Sequence, residues 1–362
     1  VRIAAICTTI CLIATLLACG GGGMLHTTSS VRGFQQVNLV SDVAGNTQHT
    51  DSGLLNPWGA AFVPGQPFFI AENARGKAGV FDPSGTPSLP IAVVIPTSTF
   101  GAPPSKPSGV VFNPVSQDFV VRGTPAQFLF AAEDGTVSTW SSINGNNPTA
   151  AILAVDDSAS GAIYKGLDIL SPACCREYLA LADFSRGFIN TYDVSFVLLG
   201  TPGSFKDSNL PAGYAPFNIR QIGTQVFVTY AVQDASGRNP VPGPGNGIVD
   251  VFDQEGDFIR RFASNGPLNA PWGIALASAN FGRFSNDILI GNFGDGTINA
   301  FDPNTGNFLG QLTDRSDKVI VNPGLWTLVF RNDGIGSPDT LYFTAGSSTE
   351  DHGLFGAISP AN

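Results

Sequence analysis

A unit of roughly fifty residues recurs six times from Asn56 onward, and no other property of the chain restricts its fold as strongly. Each unit opens on a Pro or Gly turn and an apolar strand, continues with a second apolar strand ending in a small or polar residue, and often closes on Phe-Asp. The openings begin at Pro57-Trp58-Gly59, Pro107-Ser108-Gly109, Tyr164-Lys165-Gly166, Ala215-Pro216-Phe217, Pro271-Trp272-Gly273 and Gly324-Leu325-Trp326. Anchors at 59, 109, 166, 217, 273 and 325 are 50, 57, 51, 56 and 52 residues apart, the length of a four-stranded propeller blade. The spectrum of turns agrees: 43 Gly and 26 Pro in 362 residues suit many short strands and exclude a helical protein. The expected fold is all-β, a six-bladed β-propeller over residues 33–362. A pair of β-sandwiches would not repeat with this period.

The spacings alternate short and long. Positions 59, 166 and 273 are each 107 apart and 109, 217 and 325 each 108 apart, which indicates a duplication of double blades. The sixth unit ends without an outer strand. The alternating segment Phe34 to Val40, ahead of the first unit, is expected to supply it and close the ring, because an open ring leaves sheet edges exposed.

Residues 1–18 read as a signal peptide. Arg2 precedes an apolar run to Ala18 that is too short to span a bilayer. Leu16-Leu17-Ala18-Cys19 followed by Gly20 to Gly23 resembles the bacterial lipobox, so Cys19 is the expected lipidation site and residues 19–32 a lipidated, flexible tether. An exported protein held to the outer membrane or cell surface, periplasmic or extracellular, follows from that reading, with the membrane contacted through the lipid. After Cys7, Cys11 and Cys19 only Cys174 and Cys175 remain, adjacent in sequence and open to either a strained vicinal disulfide or two thiols. Acidic residues outnumber basic ones 28 to 18, which removes the basic footprint that nucleic acid needs.

The repeats resemble NHL-type units, best over Leu268 to Gly306. The Asn-Pro-Trp-Gly at 56–59, Gly-Asn-Phe-Gly-Asp-Gly at 291–296 and His-Gly-Leu-Phe-Gly at 352–356 resemble a family of uncharacterised secreted bacterial propellers. That resemblance implies fold and export and brings no catalytic residues.

In a propeller the connections between blades and the turns between second and third strands share one face, where the channel opens and sites concentrate. The residues ending the second strands are Glu72, Ala132, Asp183, Ala231, Asn292 and Ala345, alternately polar and Ala. Glu72, Asp183 and Asn292 could converge there on Ca2+, as in six-bladed calcium-dependent lactonases and phosphotriesterases, or could cap their own turns. His49, near Asp51, and His352, beside Glu350 and Asp351, are brought to neighbouring blades by the closing strand, as general base, ligand contact or solvated loop residues. Trp58, Trp272 and Trp326 could line the mouth for an apolar or ring-shaped ligand, or pack between blades. No P-loop, nucleophile elbow or His-Glu-x-x-His is present. The expected function is therefore a monomeric cell-envelope scaffold that binds a small molecule or an envelope protein, with the calcium-dependent hydrolase as the alternative.

Overall fold

The computed structural model describes residues 33–361 except 46, 89–91, 143–148, 174 and 200–203. The signal peptide, Cys19, the tether, Cys174 and the Asn-Gly-Asn-Asn at 144–147 lie outside those residues.

Six antiparallel sheets form six blades. Their inner strands are Pro57–Phe62, Pro107–Phe112, Tyr164–Leu170, Tyr214–Ile222, Pro271–Leu276 and Leu325–Phe330. Second strands are Phe68–Glu72, Phe128–Ala132, Tyr178–Asp183, Gln225–Val232, Ile288–Asn292 and Leu341–Ala345, nearly all buried because each is covered by sheets on both sides. The buried apolar side chains of the described residues sort by geometry. Six clusters each join two neighbouring blades, the pair one and two through Phe69, Val110 and Phe128, for example, and six and one through Phe68, Val329 and Phe355. A seventh sits on the axis.

The ring closes as the sequence implies. Phe34–Ser41 pairs antiparallel with Leu354–Pro360, the third strand of blade six, from Phe34 opposite Pro360 to Ser41 opposite Leu354. Phe34 buries its ring against Phe281 and Phe284 of blade five, with centroids 4.8 and 6.0 Å away. His49–Thr50 then adds a short parallel strand outside Val40–Ser41, which the sequence pattern does not announce. Blade three departs in the other direction: among the described residues it has three regular strands and, in place of the fourth, a bridge from Tyr192 to Leu198.

The Phe-Asp closings have a local cause. The Asp82 carboxylate accepts the N–H groups of Ser84 and Thr86, Asp193 those of Ser195 and Val197, and Asp253 those of Glu255 and Asp257, all at 2.8 to 3.0 Å. Each Asp thus builds the turn into the outer strand.

Near the axis the inner strands nearly touch. A Cβ on Gly59 would lie 2.7 Å from the Val110 nitrogen, and one on Gly273 2.5 Å from the Trp326 carbonyl oxygen. These openings carry Gly because neighbouring backbones leave no room for more.

Strand direction assigns the faces. The connections between blades and the turns from second to third strands form the upper face. The hairpins from first to second strands and the turns into the outer strands form the lower face.

Candidate functional site

Every inner strand breaks register at the same level. The shifts fall between Pro57 and Ala60, Pro107 and Gly109, Tyr164 and Gly166, Pro216 and Asn218, Pro271 and Gly273, and Leu325 and Leu328. A bulged residue leaves the ladder and its side chain is re-aimed, here toward the upper mouth of the channel. The six residues so placed are Trp58, Ser108, Lys165, Phe217, Trp272 and Trp326. This corrects two of the sequence anchors: Asn218 and Thr327 occupy the places of Gly59 and its equivalents. The pairwise rhythm survives, with 58, 165 and 272 separated by 107 residues and 108, 217 and 326 by 109.

The bulge residues fill the mouth. Trp58 stacks on Trp326 at 3.6 Å and 20°, and Trp272, Phe293 and Phe217 surround Trp326 at 5.7, 4.4 and 5.9 Å. The three Trp residues are between 1 and 4% exposed, so they form a plug and not an open wall. Trp272 donates its indole N–H to the Lys165 carbonyl and Trp326 to the Asn56 amide oxygen. The Trp58 Nε1 has no partner among the described residues, although it is buried.

One sector of the plug is polar. Lys165, 2% exposed, places its Nζ 5.2 Å from the centre of the Trp58 ring and pairs with Glu133. The other Glu133 oxygen accepts from Asn73 at 3.1 Å, and Asn56 donates to Glu350 at 2.9 Å. Burial pushes the Glu133 carboxyl up, but the Lys165 charge and hydrogen bond, helped by Asn73, outweigh it and hold the group below its ordinary range. Glu350 moves the other way, raised by burial and by the nearby Glu133 charge, against the opposing bond from Asn56. Asn56, Asn73, Glu133 and Lys165 are not among the residues the sequence picks out as a site. The one available signal is Lys165 itself, a charge at a repeat position otherwise held by Trp, Phe or Ser.

Glu72, Asp183 and Asn292 do not meet there. Each is engaged in its own turn, by one rule. Glu72 faces Arg75 at 3.3 Å, Asp183 faces Arg186 at 2.6 Å, and Asn292 donates to Asp295 at 3.2 Å, three residues on in each case. The next residue, Gly76, Gly187 or Gly296, has φ of 63, 78 or 73° and returns its N–H to the carbonyl of the first. Asp183 also accepts from the Ile163 N–H and Asn292 from that of Asn269, fixing the preceding connection. The alternation of polar residues and Ala therefore records a turn shared by blades one, three and five. Among the described residues no group of three His, Cys, Asp or Glu side chains converges, whereas Ca2+ takes six to eight oxygens.

Burial pushes the Glu72 carboxyl up to about 8 in spite of Arg75. A carboxyl that ionises later in the folded than in the unfolded chain loses stability as pH rises from its ordinary range to that value. Glu72→Gln is expected to gain on the wild type by up to about 1.4 kcal/mol per pH unit over that window. Urea unfolding at pH 5 and pH 8 measures it. A gap independent of pH would refute the assignment.

The two histidines have separate partners. His352 meets Asp42 at 2.7 Å, a bond and charge that raise its pKa, and Asp42 also accepts the Gly353 N–H. His49 stands on the short strand beyond the closing one, opposite Val40, and its charge is felt by Asp82. His352 and Asp42 thus clasp the end of the closing strand, beside which His49 also stands.

A closed six-bladed β-propeller with an aromatic and ionic plug at one channel mouth is the class that this geometry defines. The chain is 31% identical over 329 residues to an uncharacterized protein of Acanthamoeba polyphaga mimivirus, a match covering 88% of this chain and 78% of that protein. A second uncharacterized mimivirus protein is 30% identical over 331 residues, covering 88% and 84%. The chain belongs to the family of these proteins. No protein-family model matches it. Among solved structures, a glucose dehydrogenase superposes with a TM-score of 0.56 over 90% of this chain and all of that one, and a streptogramin B lyase with 0.52 over 91% and 98%, both at 12% identity. At that identity they share the fold alone.

Proposed function

We propose that the chain is an exported, NHL-like propeller anchored through Cys19, and that it binds a small polar ligand at the upper channel mouth. The observation that carries this reading is the Lys165–Glu133 pair set into an aromatic plug. Burying an ion pair gives less stability than apolar side chains of the same volume, so closure of the channel alone does not account for it. Two carboxylates, Glu133 and Glu350, face one site together with two amides, and Trp58 offers a donor without a partner. Such a constellation receives a ligand rich in hydrogen-bond donors, an amine or a polyol, that also presents one acceptor. The hydrolase alternative has no comparable support, because Glu72, Asp183 and Asn292 are engaged in turns.

Thermal shift against a panel of diamines and monosaccharides tests this. A compound that raises the melting temperature of the wild type is expected to lose roughly 10- to 150-fold in affinity in Glu133→Gln and in Glu350→Gln, the range for hydrogen bonds to charged groups. Ligands indifferent to both substitutions would refute the site.

A further inference from the structure

The lower rim of blades three, four and five carries paired apolar side chains at equivalent positions. Val197 to Leu199, Phe258 with Ile259, and Phe308 with Leu309 all follow the Asp-built turn into the outer strand, and are 40 to 59% exposed. Blade one has Pro87 and Ser88 at this place, and blade six has Phe34, which is buried, followed by Gln35. Bonds between the blades hold these rims side by side: the Phe205 N–H bonds the Gly256 carbonyl between blades three and four, and Arg260 bonds the Pro303 carbonyl between four and five.

The described chain begins at the end of this stripe. Gly33 leads into Phe34, whose ring stacks on Phe284, and a Cβ on Gly310, next to Leu309, would lie 3.3 Å from that same ring. The Phe34 N–H bonds Thr313, just beyond the outer strand of blade five. Phe34 stands opposite Pro360, at the lower end of the third strand of blade six, and Gly33 packs against Asp314 in the connection leaving blade five. The fourteen steps from Cys19 to Gly33 reach roughly 45–50 Å at full extension, enough to let the rim meet the surface that holds the lipid.

We propose that this apolar rim lies on the lipid bilayer. The inference rests on the Cys19 anchor of the preceding section. Exposed apolar groups repeated on three neighbouring blades mark an interaction surface, and a tether attached beside them holds that surface against the membrane at high effective concentration. Glu255 and Asp257 precede Phe258 and Arg260 and Arg261 follow Ile259, so the charges beside this rim balance and a zwitterionic bilayer suits it.

The test supplies the anchor artificially. The full mature chain, with a hexahistidine in place of Cys19, is captured on phosphatidylcholine vesicles carrying a nickel-chelating lipid, and backbone hydrogen exchange is followed with and without vesicles. Exchange is expected to slow at least threefold in 258–261 and 308–311 on capture and to stay unchanged on the upper face. Ile259→Ser with Leu309→Ser, and the harsher variant adding Phe258→Ser and Phe308→Ser, should be captured equally and lose that protection. Unchanged exchange in the wild type would overturn the proposal. Protection that appears without vesicles at raised protein concentration would also overturn it and make the stripe a contact between copies. Retention of the natural chain in the membrane fraction, compared with Cys19→Ser, reads the anchor separately.

Discussion

A chain cut to begin after Ser41 is expected to lose its cooperative fold at room temperature. The deletion removes the strand that covers Leu354–Pro360 and leaves that edge unpaired along its length. It also removes Phe34, 2% exposed and enclosed by Phe281 and Phe284, and Val40, which is fully buried. Loss of a buried Phe side chain alone costs about 3–5 kcal/mol. With the strand hydrogen bonds and Val40 added, the loss reaches the 5–15 kcal/mol that typically separates folded from unfolded domains. Near-ultraviolet circular dichroism on the truncated chain would show a flat spectrum, and a peptide spanning Phe34–Ser41 should restore part of the signal in proportion to its concentration. A truncated chain melting within a few degrees of the intact one would mean that the ring closes by other contacts.

Trp326→Ala is expected to be the most damaging single truncation near the axis. Its ring touches Trp58, Trp272, Phe293 and Phe217, contributed by three other blades. No other side chain in the plug has so many aromatic partners. Removal opens a cavity that backbones packed around the axis cannot close, and leaves the Asn56 amide oxygen without the indole donor. The expected cost is about 3–5 kcal/mol for the lost side chain, plus about 1 kcal/mol for the orphaned acceptor. Trp326→Phe should recover part of the first and none of the second. Chemical denaturation of the three proteins checks the order, and a Trp326→Ala variant within 1 kcal/mol of wild type would show the plug to be dispensable.

The architecture was legible because its causes are local. Pro and Gly turns, apolar strands and Asp-built corners recur at a period that a reader of residues sees directly, and the unpaired third strand of blade six called for Phe34 to Val40. Register was less legible. A bulge adds a residue without altering the apolar pattern, so in sequence Phe217 and Leu325 align with Gly59, whereas in the structure Asn218 and Thr327 do. The Glu72, Asp183 and Asn292 series was visible as a pattern, yet its cause, a carboxylate or amide answered three residues later by Arg75, Arg186 or Asp295, is a turn. Lys165, Glu133, Asn73, Asn56 and Glu350 come from blades one, two, three and six and from the connection entering blade one. Each looks ordinary alone. Only closure of the ring brings them together, as it brings Asp42 to His352.

The bulges at the six mouth positions also bear on how such a chain diversifies. A residue outside the ladder does not set the pairing of its own strand, although at this level it meets other blades, as Trp58 does on Trp326 and the Ser108 hydroxyl on the Tyr164 carbonyl. Trp58, Ser108, Lys165, Phe217, Trp272 and Trp326 form, in effect, a set of six fittings on strands whose ladders run past them. Exchanging Lys165 for a neutral side chain redraws the charge of the mouth without changing the register of any strand. Lineages that keep the blades are therefore free to change what the mouth receives.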